Sequence, residues 1–195
     1  MSDAASRSPV GARGVLFLPH LHGERSPFRD EAARGALLGL GGATGRDDVA
    51  RAVLEGCSMH IRALLEALTT SLADSGDDGD KEALVVVGGG AQSGVWLSIL
   101  ADALRRPLRA PPGASFAACR GAAGWAWAGL TGAPPPPAFY DATGGIAAAP
   151  EAGRSASYDA LYDAWRAAHP ALAAAGLQGG AASRAAWRAG HVWTP

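Results

Sequence analysis

The sequence predicts an α/β fold, and two observations carry that reading. Leu84-Val85-Val86-Val87 is an all-apolar run of strand length, followed at once by three glycines and then by an apolar stripe of helical period. Elsewhere, short apolar runs alternate with longer segments in which apolar residues recur every three or four positions. The 195 residues suit a domain with a sizeable core, and 48% apolar with 18% charged residues is a globular composition.

Taken in order, residues 1–13 are small and polar and predict a disordered N-terminus. Val15-Leu16-Phe17-Leu18 is a short strand ended by Pro19, and residues 20–34 form a charged, turn-rich loop. Residues 35–40 make a second short apolar segment before Gly41, Gly42 and Gly45 break the chain. The longest helix begins near Asp47, with Thr44 and Asp47 as a capping pair and Asp47 and Asp48 favouring its positive end. Val49, Ala52, Val53, Gly56, Met59, Ala63, Leu64, Ala67 and Leu68 form its apolar stripe. Residues 75–81 are a solvent loop.

The run 84–87 reads as a strand buried on both faces, and a helix follows from about Gly94 to Leu104. Another short strand lies near Leu108, and a small-residue helix runs from Ala117 to Leu130. Residues 134–155 are a Pro/Gly-rich linker opened by Pro134 to Pro137. A last helix at 156–175 carries Tyr158, Leu161, Tyr162 and Trp165 on one stripe, and residues 176–195 are a flexible tail. The main body of the fold is expected over residues 14–133.

A net charge of −1 points to neither nucleic acid nor an anionic membrane surface. No run approaches the roughly 20 apolar residues of a membrane span, and the first fourteen residues lack a signal-peptide core. Cys57 and Cys119 form neither a disulfide framework nor a zinc set, so a cytoplasmic protein with reduced, buried thiols is expected.

The unit at 84–104 is the most informative feature. Consecutive glycines after a strand let backbone approach a ligand, and the next helix turns N–H groups and a partial positive charge to the same place. A nucleotide suits such a unit, and so does a plain tight turn. It is not a Walker A loop, because Gln92-Ser93-Gly94 has no lysine. Nor is it a dinucleotide fingerprint: counting from Gly88 and Gly90, the third glycine position holds Ser93.

Several motifs in order resemble the FGGY carbohydrate kinase family, most closely its xylulokinase branch. Residues 14–27, GVLFLPHLHGERSP, resemble "LLFLPYLSGERTP", and residues 30–35, DEAARG, resemble "DPxARG". Gly35, Leu37, Gly39 and Leu40, a seven-residue spacer, then Asp48, Val49, Ala52, Val53, Leu54 and Glu55 fit the family's C-terminal signature. Residues 88–104, GGGAQSGVWLSILADAL, are similar to "GGGAxSxxWxQILADxL", Gly121-Ala122-Ala123 to "GAA", and residues 158–172 to the "YxxLYxxYRxLYPAL" tail. The likeness covers about residues 14 to 175.

The resemblance implies an actin-like, ribonuclease-H-like C-terminal ATPase domain: a mixed sheet flanked by helices, lacking its first hairpin. It implies ATP as cofactor, with Mg²⁺ held mainly by an N-terminal domain. By motif, Gly89 is the backbone contact to adenosine, Ser93 the polar contact near base or ribose, and Gly88 and Gly90 keep the approach open. The family's Asp-Gly-Thr/Ser phosphate loop, its base aspartate and its Thr-Gly hairpin have no counterpart here, so no catalytic residue is assigned. The implied activity is ATP-dependent phosphorylation of a sugar of the D-xylulose type, completed by a separately encoded N-terminal domain. A non-catalytic interaction module with the same fold is the alternative. Phe116 stands where the family has glutamate.

Other residues carry blander expectations. His20 and His22 sit at i, i+2 but lack a third ligand, and stand where the family has Tyr and Ser, so no metal is expected. Glu24 and Arg25 read as an ion pair shaping a hairpin. His60 reads as surface or half-buried, and Asp48 and Glu55 as fold residues. Trp125, Trp127 and Trp165 read as packing residues, with an exposed patch and self-association as one consequence.

Overall fold

A computed structural model describes residues 1–72, 83–139 and 144–177. The elements in chain order are α1 (Ser2–Ser6), β1 (Leu16–Leu18), β2 (Ala36–Leu38), α2 (Arg46–Leu72), β3 (Leu84–Val85), α3 (Gly94–Leu104), β4 (Leu108–Arg109), α4 (Ala117–Thr131), β5 (Ile146–Ala148) and α5 (Ser155–Ala174). They fall into two compact units, one of residues 1–77 with 153–195 and one of residues 78–152.

In the first unit β1 and β2 pair antiparallel, Leu16 opposite Leu38 and Leu18 opposite Ala36. Gly39 follows with φ +75°, and a Cβ there would overlap the Gly14 carbonyl oxygen at 2.2 Å, so glycine is required where the two segments cross. Helix α2 packs on β1, and Gly56 admits the Phe17 carbonyl, which a Cβ would meet at 2.2 Å. Val15, Leu18, Ala52 and Met59 are buried with Tyr158, Tyr162 and Trp165 of α5. Trp165 Nε1 donates to the Phe17 carbonyl at 3.1 Å, fixing α5 on β1. The tail motif therefore belongs to the core of the first unit.

The N-terminus departs from the expected disorder. Ala4 and Ala5 of α1 are buried, and α1 packs on α2. Arg7 clamps Asp47 through Nε and Nη2, both at 2.8 Å, and Ser8 Oγ donates to Asp48 Oδ1 at 2.6 Å. Those partners lie about forty residues away, beyond the range of a local reading. The start of α2 also differs. Thr44 Oγ1 accepts from the Gly41 amide at 2.9 Å, whereas Asp48 Oδ2 reaches back to accept from Gly45 N at 2.9 Å. Asp48 thus performs the reciprocal half of a capping box.

The second unit is a three-stranded mixed sheet in the order β3-β4-β5, parallel between β3 and β4 and antiparallel between β4 and β5. Helix α3 buries Leu97, Ile99, Leu100, Ala103 and Leu104, with Leu108 of β4 in the same core. Three expectations are corrected here. Val85 and Val87 are 47% and 52% exposed, so the apolar run is not covered on both faces. Residues 146–148, inside the expected linker, form the third strand, because Glu151 N donates to the buried Asp102 at 2.7 Å and holds the segment to α3. Cys119 is exposed on α4, and Cys57 is half-buried; both are free thiols.

Helix α5 passes through Pro170 and ends at Ala174. Pro170 is on the exposed side, where the one bond it cannot make costs least. Residues 178–195, most of the expected tail, and the expected solvent loop 75–81 lie outside the described residues.

A candidate nucleotide-binding loop

The local chemistry of residues 84–116 builds a two-loop rim. Val86 N donates to the Arg109 carbonyl at 2.8 Å, so β3 and β4 stay paired up to the point where the glycines begin. Gly88 then adopts φ +91° and ψ −175°, a conformation that only glycine adopts readily. Its N–H donates to the Ala114 carbonyl at 2.8 Å, which ties this loop to the turn of residues 113–116. Gly89–Gln92 form a single 3₁₀ turn, closed by Ser93 N on the Gly90 carbonyl at 3.0 Å.

The four residues singled out by motif are brought together here but do different work. Gly88 and Gly89 have open space where a Cβ would stand, and Gly89 is exposed. This is the free backbone that close approach of a ligand needs. Gly90 is glycine for another reason: a Cβ would fall 1.7 Å from Trp96 Cζ3, so the indole ring lies over it. Its openness is already used by the protein. Ser93 is the N-cap of α3, its Oγ accepting from Trp96 N at 3.2 Å. The cap aligns the N-terminus of an eleven-residue helix with the end of the glycine turn.

The turn at 113–116 leads into α4, along which runs a groove of about 370 Å³ lined by Arg120, Gly121, Gly124, Trp125, Pro135 and Phe139. Its volume is that of a small-ligand site, and its walls are apolar apart from Arg120. Gly124 lets Pro135 approach; a Cβ there would touch the proline ring at 3.4 Å. Pro135 therefore forms a wall. Phe116 is 65% exposed beside the turn, and Trp125 and Leu130 are 82% and 88% exposed on α4. Of the three tryptophans expected to pack, Trp165 is buried while Trp125 and Trp127 are exposed.

In the first unit the polar residues of the signature are structural. Glu55 Oε1 accepts from Arg51 Nε at 2.7 Å, Gly11 N at 3.0 Å and the Tyr158 hydroxyl at 3.2 Å. Arg51 also donates to the Ser8 carbonyl and to Tyr158 Oη, each at 3.0 Å. Burial raises the Glu55 carboxyl above the usual carboxylate range, and its donors offset only part of that.

A second cluster surrounds His20, which is buried, whereas His22 is exposed. His20 Nδ1 lies 2.8 Å from Glu24 Oε2, and His60 Nε2 of α2 lies 3.4 Å from the same oxygen. Glu24 does not pair with the Arg25 guanidinium as expected among these contacts; its Oε1 accepts from the Arg25 and Ser26 amides at 2.8 and 3.3 Å. Burial pushes the His20 imidazole below its ordinary value, with Glu24 opposing. Glu24 is half-buried, which tends to raise its carboxyl, yet its two amide donors and His20 hold it below the usual carboxylate range. Neither the i, i+2 spacing of His20 and His22 nor any local signal pointed to His60, forty residues on.

Comparison with known proteins agrees with this architecture. The model of the C-terminal domain of the FGGY family of carbohydrate kinases matches residues 1–130. The chain is 36% identical over 94 residues to a xylulose kinase of Bacillus subtilis (strain 168), covering 48% of this chain and 18% of the relative. It is 36% identical over 131 residues to a glycerol kinase of Gloeobacter violaceus, covering 64% and 25%. Among solved structures, a xyloylose kinase from Brucella ovis superposes with TM-score 0.66 at 35% identity, over 88% of this chain and 35% of that one. The xylulose kinase from Rhodospirillum rubrum gives 0.62 at 28% identity, over 88% and 32%. The chain thus spans between 18% and 25% of the length of these curated relatives. With an actin-like α/β architecture and a family match over two thirds of its length, the chain belongs to the FGGY family of carbohydrate kinases, in the family's C-terminal domain.

Proposed function

We propose that these residues form the ATP-facing domain of a kinase that transfers phosphate to a ketopentose of the D-xylulose type. The observation that carries the reading is the open backbone at Gly88 and Gly89 beside the capped N-terminus of α3. Gly88 and Gly89 admit the adenosine closely, Ser93 holds the helix end in place, and the positive end of α3 favours a polyanion. The apolar groove along α4 offers a flat surface to a purine. ATP supplies the phosphoryl group and, with Mg²⁺, the charge neutralisation that transfer needs. These residues bind and orient; no aspartate here matches the base that takes the sugar's proton. Turnover therefore draws on an N-terminal kinase domain for the phosphate loop, the base and most of the sugar contacts, whether in the same polypeptide or another.

Isothermal titration with ATP and Mg²⁺, with and without an N-terminal xylulokinase domain, tests the reading. Saturable nucleotide binding is expected, and xylulose-dependent ADP release only with that domain present. No binding under either condition overturns it. One observation favours a second reading, a non-catalytic interaction module: the exposed apolar set Phe116, Trp125 and Leu130. Xylulose-dependent turnover in the reconstituted mixture excludes that alternative.

A further inference from the structure

Three side chains of the first unit converge on one another. His20, Glu24 and His60 each offer a ligand atom, and these atoms lie within 4.8 Å of one another. Glu24 is the pivot, with His20 Nδ1 at 2.8 Å and His60 Nε2 at 3.4 Å from its Oε2. Ligands about 2.0–2.1 Å from a tetrahedral ion stand about 3.3 Å apart; the 3.4 Å pair matches this, and the 2.8 Å pair opens by about 0.5 Å to admit the ion.

The surroundings hold the three groups in place. Glu24 and Asp30 exchange backbone hydrogen bonds of 2.8 and 2.9 Å, which closes the loop that carries Glu24. The Arg25 and Ser26 amides occupy Oε1 and so leave Oε2 toward the imidazoles. His60 is fixed on α2, and Trp165 flanks both rings with centroids 5.9 and 6.0 Å away. His169, paired with Asp30 at 3.4 Å and 5.2 Å from His20 by ring centroid, closes a further side.

The second nitrogens are the independent observation. His20 is 1% exposed, and its Nε2 has no hydrogen-bond partner among the described residues; nor has Nδ1 of His60. A buried imidazole normally has both nitrogens engaged. Without an ion the proton of His20 lies on Nδ1, donated to Glu24 Oε2; an ion binding there displaces it to the unpartnered Nε2. The Glu24 and His60 side chains are 14% and 18% exposed, which leaves an entry for a small ion.

We propose that His20, Glu24 and His60 bind a divalent transition-metal ion of the zinc class, with a solvent molecule in the fourth position. Two imidazoles and one carboxylate are a donor set of this class, and they discriminate against Mg²⁺, which prefers oxygen ligands. The ion cross-links the loop of residues 20–30 to α2. The site is independent of the proposed nucleotide reading.

The test uses the full chain without an affinity tag, stripped with a chelator and titrated with Zn²⁺ and with Co²⁺. One ion per chain is expected, with an intense visible Co²⁺ band of a four-coordinate site and a rise in Tm on Zn²⁺ addition. His60→Gln should weaken binding at least about tenfold, while His22→Gln, at an exposed position outside the cluster, should bind as the parent does. The faint spectrum of six-coordinate Co²⁺ in the unaltered protein overturns the proposal, and that reading needs no variant to fold. Undiminished binding by a folded His60→Gln, shown by its far-UV circular dichroism, overturns it as well.

Discussion

The two units differ in the polar groups they bury and in the aromatic residues they expose. In the first, Ser8, His20, Asp48, Arg51, Glu55 and Ser58 are buried, and side-chain bonds join distant residues, 107 positions apart for Arg51 and Tyr158 and 148 for Trp165 and Phe17. In the second, Asp102 is the buried charged side chain among the described residues, while Val85, Val87, Phe116, Trp125, Trp127, Leu130 and Ile146 are exposed. Among the described residues, the first unit buries Tyr158, Tyr162 and Trp165 and pairs Asp48, Arg51 and Glu55 with side chains from distant segments. The second is a rim of backbone and apolar surface of the kind that marks a binding face. The difference teaches where each kind of mutation acts. Damage to the first unit reads as lost stability, and damage to the exposed face of the second reads as lost binding.

The most disruptive test is Arg51→Met. It leaves Glu55 buried without its cation and strips donors from the Ser8 carbonyl and Tyr158 Oη. A loss of about 3–5 kcal/mol is expected from urea unfolding. Were the cost near zero, the network would be decoration and the contrast between the units would fail.

Next comes a pair of neighbouring glycines. Gly90→Ala drives a methyl into the Trp96 ring and should cost about 1–3 kcal/mol. Gly89→Ala meets open space and should change stability by no more than about 0.5 kcal/mol, yet weaken nucleotide binding measured by titration. Equal effects of the two on stability would erase the distinction between a packing glycine and a ligand-facing one. Ser93→Ala removes the cap of α3 and should cost about 1 kcal/mol in the same unfolding assay.

The smallest effect is on acid stability. Asp47 is held below the usual carboxylate range first by its hydrogen bond from Arg7, and Asp48 first by its hydrogen bond from Ser8. A depressed carboxyl stabilises the fold fully above the unfolded value of 3.8 and loses that contribution as pH falls through the folded value. Ser8→Ala should therefore lower Tm at neutral pH and leave a smaller difference from the parent at the most acidic pH where both fold. A Tm difference that grows on acidification contradicts the assignment.

How much was legible depends on the range of the interactions involved. The glycine loop, the start of α3 at Gly94 and its end at Leu104 all rest on residues a few positions apart, and they stand where the sequence put them. The role of Gly90 was not legible, although Trp96 is only six residues away, because nothing local says that the indole folds back over the turn. The N-terminus misled for a related reason. Arg7 and Ser8 look like loose polar residues until α2 supplies Asp47 and Asp48.

By itself, the sequence determined the α/β class, the order of the glycine loop and its capped helix, and the family, because strand runs, helical periods and ordered motifs are written in local spacing. Tertiary structure alone decided that residues 146–148 complete the sheet, that Tyr158 meets Arg51, and that His60 joins His20 on a single carboxylate oxygen. Those meetings depend on how α2 and α5 pack around β1, and on how β4 and α3 draw in the returning chain. No pattern of neighbouring residues specifies such packing.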